Sequence, residues 1–330
     1  MEFGRRICST LDALWHNAFA PVRKMPTTPW ENGRELLHIP YGETSENQYL
    51  DLYLPDSGEK LPLLVLIHGG GFVFGDSQTR QVQWMYRYFR QHGYVCASVN
   101  YRLAQEAPWP AAIADVKAAI RYLRANADDY GIDAGRIAVW GESAGGYLAA
   151  MAAVSDDDAF NEMQLVHRGT ESVSAKVQVL VDYYGVSDFG DKSVDFTRNG
   201  IAGWLVRLAN RWLTIPELAE GHFNSVDDFF IRMPYDAIPE NEADVYCPAG
   251  YIKKLDIGSL KVILVHGESD ITVPVQQTRR LENAFSAQIG EENVFAVYPH
   301  PCKHADDRLY SDSFLETIEE KLNCFLNISR

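Results

Sequence analysis

The pentapeptide Gly141-Glu142-Ser143-Ala144-Gly145 constrains this chain more than any other feature. It follows the apolar run 137–140, which predicts a strand, and precedes the small-residue run 146–154, which predicts a helix. A sharp turn from strand to helix needs small residues beside the serine, and it lifts the serine oxygen above the end of a sheet, at a helix N-terminus. The pattern therefore predicts Ser143 as a nucleophile; the alternative is a serine that only caps the helix.

A glycine-rich loop lies upstream, His68-Gly69-Gly70-Gly71-Phe72, directly after the apolar run 61–67. Glycines let backbone N–H groups turn into a cleft that side chains would obstruct. Acyl transfer needs such donors for a developing oxyanion, together with the N–H after the nucleophile, here that of Ala144. An ordinary glycine-rich turn is the alternative. His68 is predicted to hold the loop by hydrogen bonding.

A nucleophilic serine needs a base, and the base needs a carboxylate to orient it. After Ser143, Asp270 follows the predicted strand 260–265 by a short loop, where such a carboxylate is expected. Glu268 is the rival, and a plain cap for the next helix is the alternative role for Asp270. Asp270 is favoured because a residue two positions away points differently.

Two histidines lie near the next predicted strand, 293–298, and before the final helix. His300 directly abuts the strand. His304 lies in a loop, 302–307, with room to fold back over the sheet, so His304 is the predicted base. His266 is expected to be structural, because it lies in a tight turn at a strand end.

Strand and helix patterns alternate from residue 48 onward, which predicts an α/β fold with a mainly parallel sheet and helices on both faces. The alternating residues 49–54 indicate an early edge strand. Residues 189–250 show no clear strand and are predicted to be a cap inserted in a single domain spanning 1–330. Residues 1–45 are predicted to form a leading arm that is helical around residues 8–20.

Composition excludes several classes of function. The net charge of −15 and the pI of about 5.0 make nucleic acid an unlikely partner. The five scattered cysteines form no CxxC pair and suggest neither a disulfide framework nor a metal site. Nucleotide and zinc-protease motifs are absent, so no cofactor is expected. The sequence shows no signal region and no membrane span, which predicts a cytoplasmic location.

With these motifs, the chain resembles the α/β-hydrolase esterases related to hormone-sensitive lipase, bacterial carboxylesterases and acetyl esterases. The resemblance covers roughly residues 48–327. It depends on HGGGF (68–72), NYRL (100–103), PAA (110–112) with Asp115, YGID (130–133) with Arg136, GESAGG (141–146), HGESDITVP (266–274) and His304. It implies an eight-stranded, mostly parallel sheet whose first strands are antiparallel.

The resemblance also implies roles: a catalytic triad of Ser143, Asp270 and His304, with oxyanion N–H groups from Gly69, Gly70 and Ala144. Lipases of this group carry GDSAGG, whereas this chain has GESAGG. That form is more similar to small acetyl or feruloyl esterases that act on decorated sugars. The implied function is hydrolysis of short acyl esters of a small-molecule substrate.

Two alternatives stay open: a serine peptidase or amidase using the same triad, and a non-catalytic relative that binds small molecules. The intact triad argues against the second. The aromatic residues Trp204, Trp212, Phe229 and Phe230 are expected either to line an acyl pocket or to pack the cap. The sequence does not decide the acyl chain length, the alcohol or whether the chain forms a homo-oligomer.

Overall fold

The architecture comes from a computed structural model. The structure describes residues 32–160, 170, 172–190, 192, 195, 215–253 and 257–328. The predicted helix around 8–20, the residues Trp204 and Trp212, and Cys8 lie outside the described residues.

Eight strands form one sheet. Their bounds are β1 Gly33–Pro40, β2 Tyr49–Pro55, β3 Leu61–Ile67, β4 Val95–Val99, β5 Ile132–Glu142, β6 Val179–Tyr183, β7 Lys261–Val265 and β8 Val294–Val297. The order across the sheet is β1-β2-β4-β3-β5-β6-β7-β8. The pairs β1–β2 and β2–β4 are antiparallel, and all other pairs are parallel. The predicted mostly parallel sheet with antiparallel first strands is confirmed.

Helices connect and cover the strands. Within the described residues they are α1 Arg80–Phe89, α2 Ala111–Ala125, α3 Ala144–Val154, α4 Pro216–Ala219, α5 Val226–Ile231, α6 Glu240–Ala243, α7 Pro248–Ile252, α8 Gln276–Ile289 and α9 Asp312–Phe325. Two buried apolar clusters line the two faces of the sheet. Strands β3 to β7 are therefore buried on both faces, which explains why the sequence shows them as continuous apolar runs.

Two predictions about the start of the sheet are wrong. The strand β1 falls inside the segment predicted as a leading arm, so that part of the arm belongs to the sheet. A register shift between Leu36 and Ile39 interrupts the alternation that would have indicated a strand. The strand β2 is consequently internal, between β1 and β4, and not an edge.

The polar residue that suggested an exposed face in β2 is Asp51, which is fully buried. Its carboxylate accepts hydrogen bonds from the His38 N–H (2.8 Å), the Ser77 hydroxyl (2.6 Å) and the Gln78 amide (2.6 Å). A buried carboxylate with three donors is satisfied without water. The alternation in 49–54 therefore reflects a buried polar network, which sequence periodicity does not distinguish from an exposed face.

The segment predicted to be a cap lies between β6 and β7. Its described residues, 189, 190, 192, 195 and 215–250, form short helices and turns and no strand. Helix α5 has a serine cap: Ser225 Oγ accepts from the Asp228 N–H at 3.0 Å. Phe229 and Phe230 on this helix are fully buried.

Candidate active site

Ser143 occupies the turn between β5 and α3 with φ of 52° and ψ of −118°, outside the regions that a non-glycine residue ordinarily adopts. Its neighbours must be glycine, because a Cβ on Gly141 would overlap the Gly145 carbonyl, and a Cβ on Gly145 would overlap the Ile67 carbonyl. The turn is anchored by the Ser143 N–H, which donates to the Tyr183 carbonyl at 2.8 Å. Sequence and packing together produce the strained turn that presents the serine hydroxyl.

The structure brings the three predicted triad residues together. His304 Nε2 lies 3.0 Å from Ser143 Oγ, and His304 Nδ1 lies 2.6 Å from Asp270 Oδ2. The Nδ1–H donates to the carboxylate, so Nε2 has a free lone pair that accepts the serine proton. This arrangement has the geometry that a nucleophile, a base and an orienting carboxylate require.

The rival residues lie elsewhere. Glu268 pairs with Arg279 at 3.2 Å and approaches His300 Nδ1 at 3.5 Å. The His300 side chain is 70% exposed, whereas that of His304 is 6% exposed. The loop of His304 folds back over the sheet, as predicted, and only His304 of the two histidines contacts Ser143 Oγ among the described residues.

Asp270 is buried and still favours its charged form. Burial alone would raise its pKa, but the charge of His304 and hydrogen bonds from His266 and His304 outweigh burial and hold the pKa of Asp270 below its ordinary value. The N–H groups of Thr272 and Val273 donate to its Oδ1 at 2.8 and 2.9 Å. The carboxylate is therefore ionised and fixed in orientation.

His266 has the structural position that was expected. Its Nδ1 lies 2.6 Å from Thr278 Oγ1, and its Nε2 lies 2.8 Å from the Val273 carbonyl and 3.2 Å from Asp270 Oδ2. It is fully buried. His266 thus supports the carboxylate that orients His304.

The glycine loop lies against the serine turn. A Cβ on Gly69 would come within 3.3 Å of Ser143 Cβ. Gly70 has a φ of 120°, and a Cβ there would overlap the Phe74 carbonyl, so this position requires glycine. Among the described residues, the N–H groups of Gly70, Gly71 and Ala144 have no protein acceptor. These donors are free to bind a ligand.

His68 holds the loop in the way the sequence predicted. Its Nδ1–H donates to the Gly69 carbonyl at 2.7 Å, and its ring stacks on Tyr101 with centroids 4.3 Å apart. The Tyr101 hydroxyl donates to the His68 carbonyl at 2.9 Å. Burial lowers the pKa of His68 to about 4, so the ring is neutral and takes no part as a base at neutral pH.

Gly69 differs from the other two predicted oxyanion donors, and its predicted role stays a prediction. Its N–H donates to Glu142 Oε1 at 3.3 Å, so that donor faces a carboxylate within the protein and not an open cleft. The glycine motif alone does not distinguish which of its N–H groups is free, because this depends on the neighbouring side chain of Glu142.

Glu142 itself is a residue whose place in the site the sequence did not reveal. It is 4% exposed and accepts hydrogen bonds from the hydroxyls of Tyr184 and Tyr310, both at 2.8 Å. The only signal in the sequence was the identity of the second residue in GESAGG. Its tyrosine partners are distant in the chain and follow no motif.

The short helix α5 lies against the glycine loop. Phe230 stacks on Phe72 with ring centroids 4.1 Å apart and an interplanar angle of 7°. The Trp109 N–H donates to the Phe230 carbonyl at 2.8 Å, and Arg232 donates to the Ala104 carbonyl at 2.6 Å. Of the two roles open to Phe229 and Phe230, their complete burial supports packing.

Within the part of the chain that the structure describes, no group of three or more His, Cys, Asp or Glu side chains could hold a metal ion. None of the described helices is long and apolar enough to cross a membrane. The cytoplasmic location and the oligomeric state remain predictions.

Comparison with known proteins places this site in a family. A family model described as BD-FAE matches residues 50–285, more than half of the chain. The fold and the Ser143–His304–Asp270 row define the chain as an α/β-hydrolase, which confirms the resemblance to esterases of this fold. More particularly, the chain belongs to the BD-FAE family.

Two curated relatives come from Mycobacterium tuberculosis. Esterase LipC is 30% identical over 82% of this chain and 62% of its own length. Esterase LipQ is 30% identical over 78% of this chain and 53% of its own length. The chain thus spans between about half and two thirds of these relatives.

Solved structures show the same fold. A truncated form of a carbohydrate esterase from gut microbiota superposes with a TM-score of 0.71 at 22% sequence identity, covering 91% of this chain and 99% of that chain. At this identity the likeness establishes the fold alone.

Proposed function

We propose that this chain is a serine carboxylic-ester hydrolase that cleaves short acyl esters, with acetyl as the expected acyl group. The proposal depends on two hydrogen bonds. His304 Nε2 lies 3.0 Å from Ser143 Oγ, and His304 Nδ1 lies 2.6 Å from Asp270 Oδ2. The strained backbone of the serine turn and the glycine-loop N–H groups without a protein acceptor both lower the stability of the folded chain. Such costs are typical of functional sites, which supports the proposal.

The reaction has two steps. Ser143 Oγ attacks the ester carbonyl carbon while His304 Nε2 takes the serine proton, and the carbonyl π electrons move to the oxygen. The tetrahedral intermediate collapses, the bond to the alcohol oxygen breaks, and His304 protonates the leaving alcohol. Water then attacks the acyl-enzyme, His304 takes the water proton and returns it to Ser143 Oγ, and the carboxylic acid is released.

The oxyanion is stabilised by backbone donors whose hydrogen bonds are unused in the folded protein. Gly70 and Ala144 have such N–H groups, and Gly71 has a third. The Gly69 N–H, which faces Glu142, acts by holding the loop. Preorganised donors of this kind stabilise the transition state, and loss of one costs about a hundredfold to a thousandfold in rate.

A short acyl group is favoured by the packing above the loop. Phe72, Phe230 and Tyr147 are 1% exposed or less and form edge and stacked contacts with each other. The segment 189–250 is proposed to act as the cap to which Phe230 belongs. One structural relative is a carbohydrate esterase, so an acetylated or feruloylated sugar is the proposed ester substrate, with the sugar as its alcohol component.

The test is hydrolysis of nitrophenyl esters from acetyl to octanoyl by the wild type, Ser143→Ala and the control Ser57→Ala, which changes an exposed serine. We expect turnover of acetyl and butyryl esters in the wild type and the control, and none in Ser143→Ala. Mass spectrometry after treatment with an organophosphate should place the label on Ser143.

Turnover of peptide or amide substrates in preference to esters would replace the proposal with the peptidase or amidase alternative. Absence of both turnover and labelling in the wild type would overturn catalysis and favour a small-molecule-binding protein.

A further inference from the structure

The carboxylate of Glu142 joins three separate segments that surround Ser143. It accepts the Gly69 N–H of the glycine loop at 3.3 Å, the Tyr184 hydroxyl from the end of β6 at 2.8 Å, and the Tyr310 hydroxyl at 2.8 Å. Tyr310 lies in a short 3₁₀ turn between His304 and α9. One side chain therefore connects the oxyanion loop, the serine turn and the segment that carries the base.

Tyr184 adopts an unusual backbone conformation to reach this position. Its φ is 43°, in the left-handed region that bulky residues rarely occupy. Its N–H donates to the Val265 carbonyl at 2.7 Å, which fixes the chain there. Its ring lies edge-on to the His304 ring, with centroids 4.7 Å apart. Backbone strain that is held in place next to a base and a nucleophile points to a role in the site.

The groups that face Glu142 are Tyr184, Tyr310, Tyr101 and His304, together with the backbone N–H of Gly69. Burial raises the pKa of Glu142, while the donors and His304 oppose that rise. Burial also raises the pKa of Tyr184 and of Tyr310 well above the ordinary value, so both remain hydroxyl donors. Of the groups that face Glu142, only the His304 side chain gains a positive charge during the proposed reaction.

Building on the proposed ester hydrolysis, we infer that Glu142 is a positioning residue for that reaction. Its carboxylate holds the glycine loop and the Tyr310 segment against the serine turn. Its carboxylate also interacts electrostatically with His304, which becomes an imidazolium when Ser143 attacks. Asp270 and Glu142 thus both favour the cationic form of His304 in this proposal.

The direct test is Glu142→Gln, which keeps the shape and one acceptor oxygen and removes the charge. We expect kcat for the acetyl ester to fall about tenfold, and the acid limb of the profile of kcat/KM against pH to move about one unit lower. KM should change less than twofold, because the ground-state substrate does not contact Glu142. The matched control is Glu282→Gln, which alters a glutamate–tyrosine pair (Tyr298, 2.7 Å) on α8 and should leave both readouts unchanged.

A second readout does not depend on turnover. The protonation midpoint of the His304 imidazole, followed by nuclear magnetic resonance of ring-labelled histidine, should move about one unit lower in Glu142→Gln. Glu142→Asp, which retains the charge, should keep the midpoint close to that of the wild type. Tyr310→Phe removes one donor and should lower kcat several-fold while the fold, monitored by thermal unfolding, is retained.

The outcomes separate the two proposals. A wild type that hydrolyses no ester overturns the proposed function, while the His304 midpoint still decides whether Glu142 acts on that histidine. An active wild type with an unchanged pH profile, midpoint and kcat in Glu142→Gln overturns the positioning role. If Glu142→Gln does not fold, an unchanged kcat in a folded Tyr310→Phe has the same meaning.

Discussion

Two turns at the same edge of the sheet each bury a carboxylate near His304, and the two carboxylates respond in opposite directions. Burial alone would raise the pKa of Asp270 in the loop after β7, but its interactions with His304 and His266 outweigh burial and hold that pKa below its ordinary value. The turn after β5 carries Glu142, whose pKa burial raises because its closest partners are neutral tyrosine hydroxyls and a backbone amide.

The opposite pKa shifts of Asp270 and Glu142 show that burial does not by itself decide the charge state of a carboxylate. A partner that can carry positive charge offsets the loss of hydration, whereas neutral donors offset it only in part. The pKa of the carboxylate after β7 is therefore lowered, whereas the pKa of the carboxylate after β5 is raised. Three further substitutions test this comparison.

The largest effect is expected for Asp270→Asn. The amide preserves the shape but no longer stabilises the Nδ1–H tautomer and the imidazolium of His304, so kcat should fall by about a thousandfold to ten-thousandfold. Esterase kinetics measure this, with Glu268→Gln in the same loop as a control that should retain wild-type activity. A loss smaller than tenfold would contradict the role of Asp270 as the orienting carboxylate.

A third buried carboxylate, Asp182 at the end of β6, extends the comparison to a group with fewer partners. Its Oδ1 accepts the Gly185 N–H at 2.8 Å, whereas its Oδ2 has no hydrogen-bond partner among the described residues. Burial raises the pKa of Asp182 to about 7. A folded-state pKa above the unfolded value means that stability is greatest below about pH 4 and declines as the pH rises through about 7.

We therefore expect Asp182→Asn to increase the free energy of unfolding by about 4 kcal/mol at about pH 8 and by about 2 kcal/mol at about pH 5. Urea unfolding at both pH values measures the change. Equal effects at the two pH values, or a loss of stability at the higher one, would show that Asp182 is ionised and partnered in the folded protein.

The smallest effect is expected at His266, whose Nε2 approaches the same Asp270 oxygen, Oδ2, that His304 contacts. His266→Met removes the N–H that faces Asp270 Oδ2 at 3.2 Å and should lower kcat about fivefold without changing KM. His266→Gln offers an amide N–H in a similar place and should recover most of the loss. Similar kcat values for the two variants would indicate that His266 only fills space.

Much of this architecture could be predicted from local patterns. Strands β3 and β4 are short apolar runs in the sequence. The serine turn is a pentapeptide in which Gly141 and Gly145 have no room for a Cβ atom. The base and the carboxylate could be assigned because each follows a strand whose carboxyl end lies at one edge of a parallel sheet. The choice of His304 over His300 depended on loop length, and the geometry agrees with it.

The errors have a common physical cause, which is that burial and pairing are not local properties. The strand β1 was missed because a register shift breaks its alternation, and β2 was predicted at an edge because Asp51 is polar although its partners are inside the protein. The free and engaged N–H groups of the glycine loop differ only through Glu142, which lies more than seventy positions along the chain.

The sequence alone was enough to predict the succession of strands and helices from β2 onward, the strained serine turn, and Ser143, His304 and Asp270 as the residues that would meet. These features depend on steric limits of the backbone and on periodicity, which act over a few residues. The three-dimensional contacts were needed to find which backbone donors lack an acceptor among the described residues, where Tyr184 and Tyr310 lie, and in which direction the pKa of each buried carboxylate shifts. Those outcomes depend on electrostatic and hydrogen-bond partners that folding alone brings into contact.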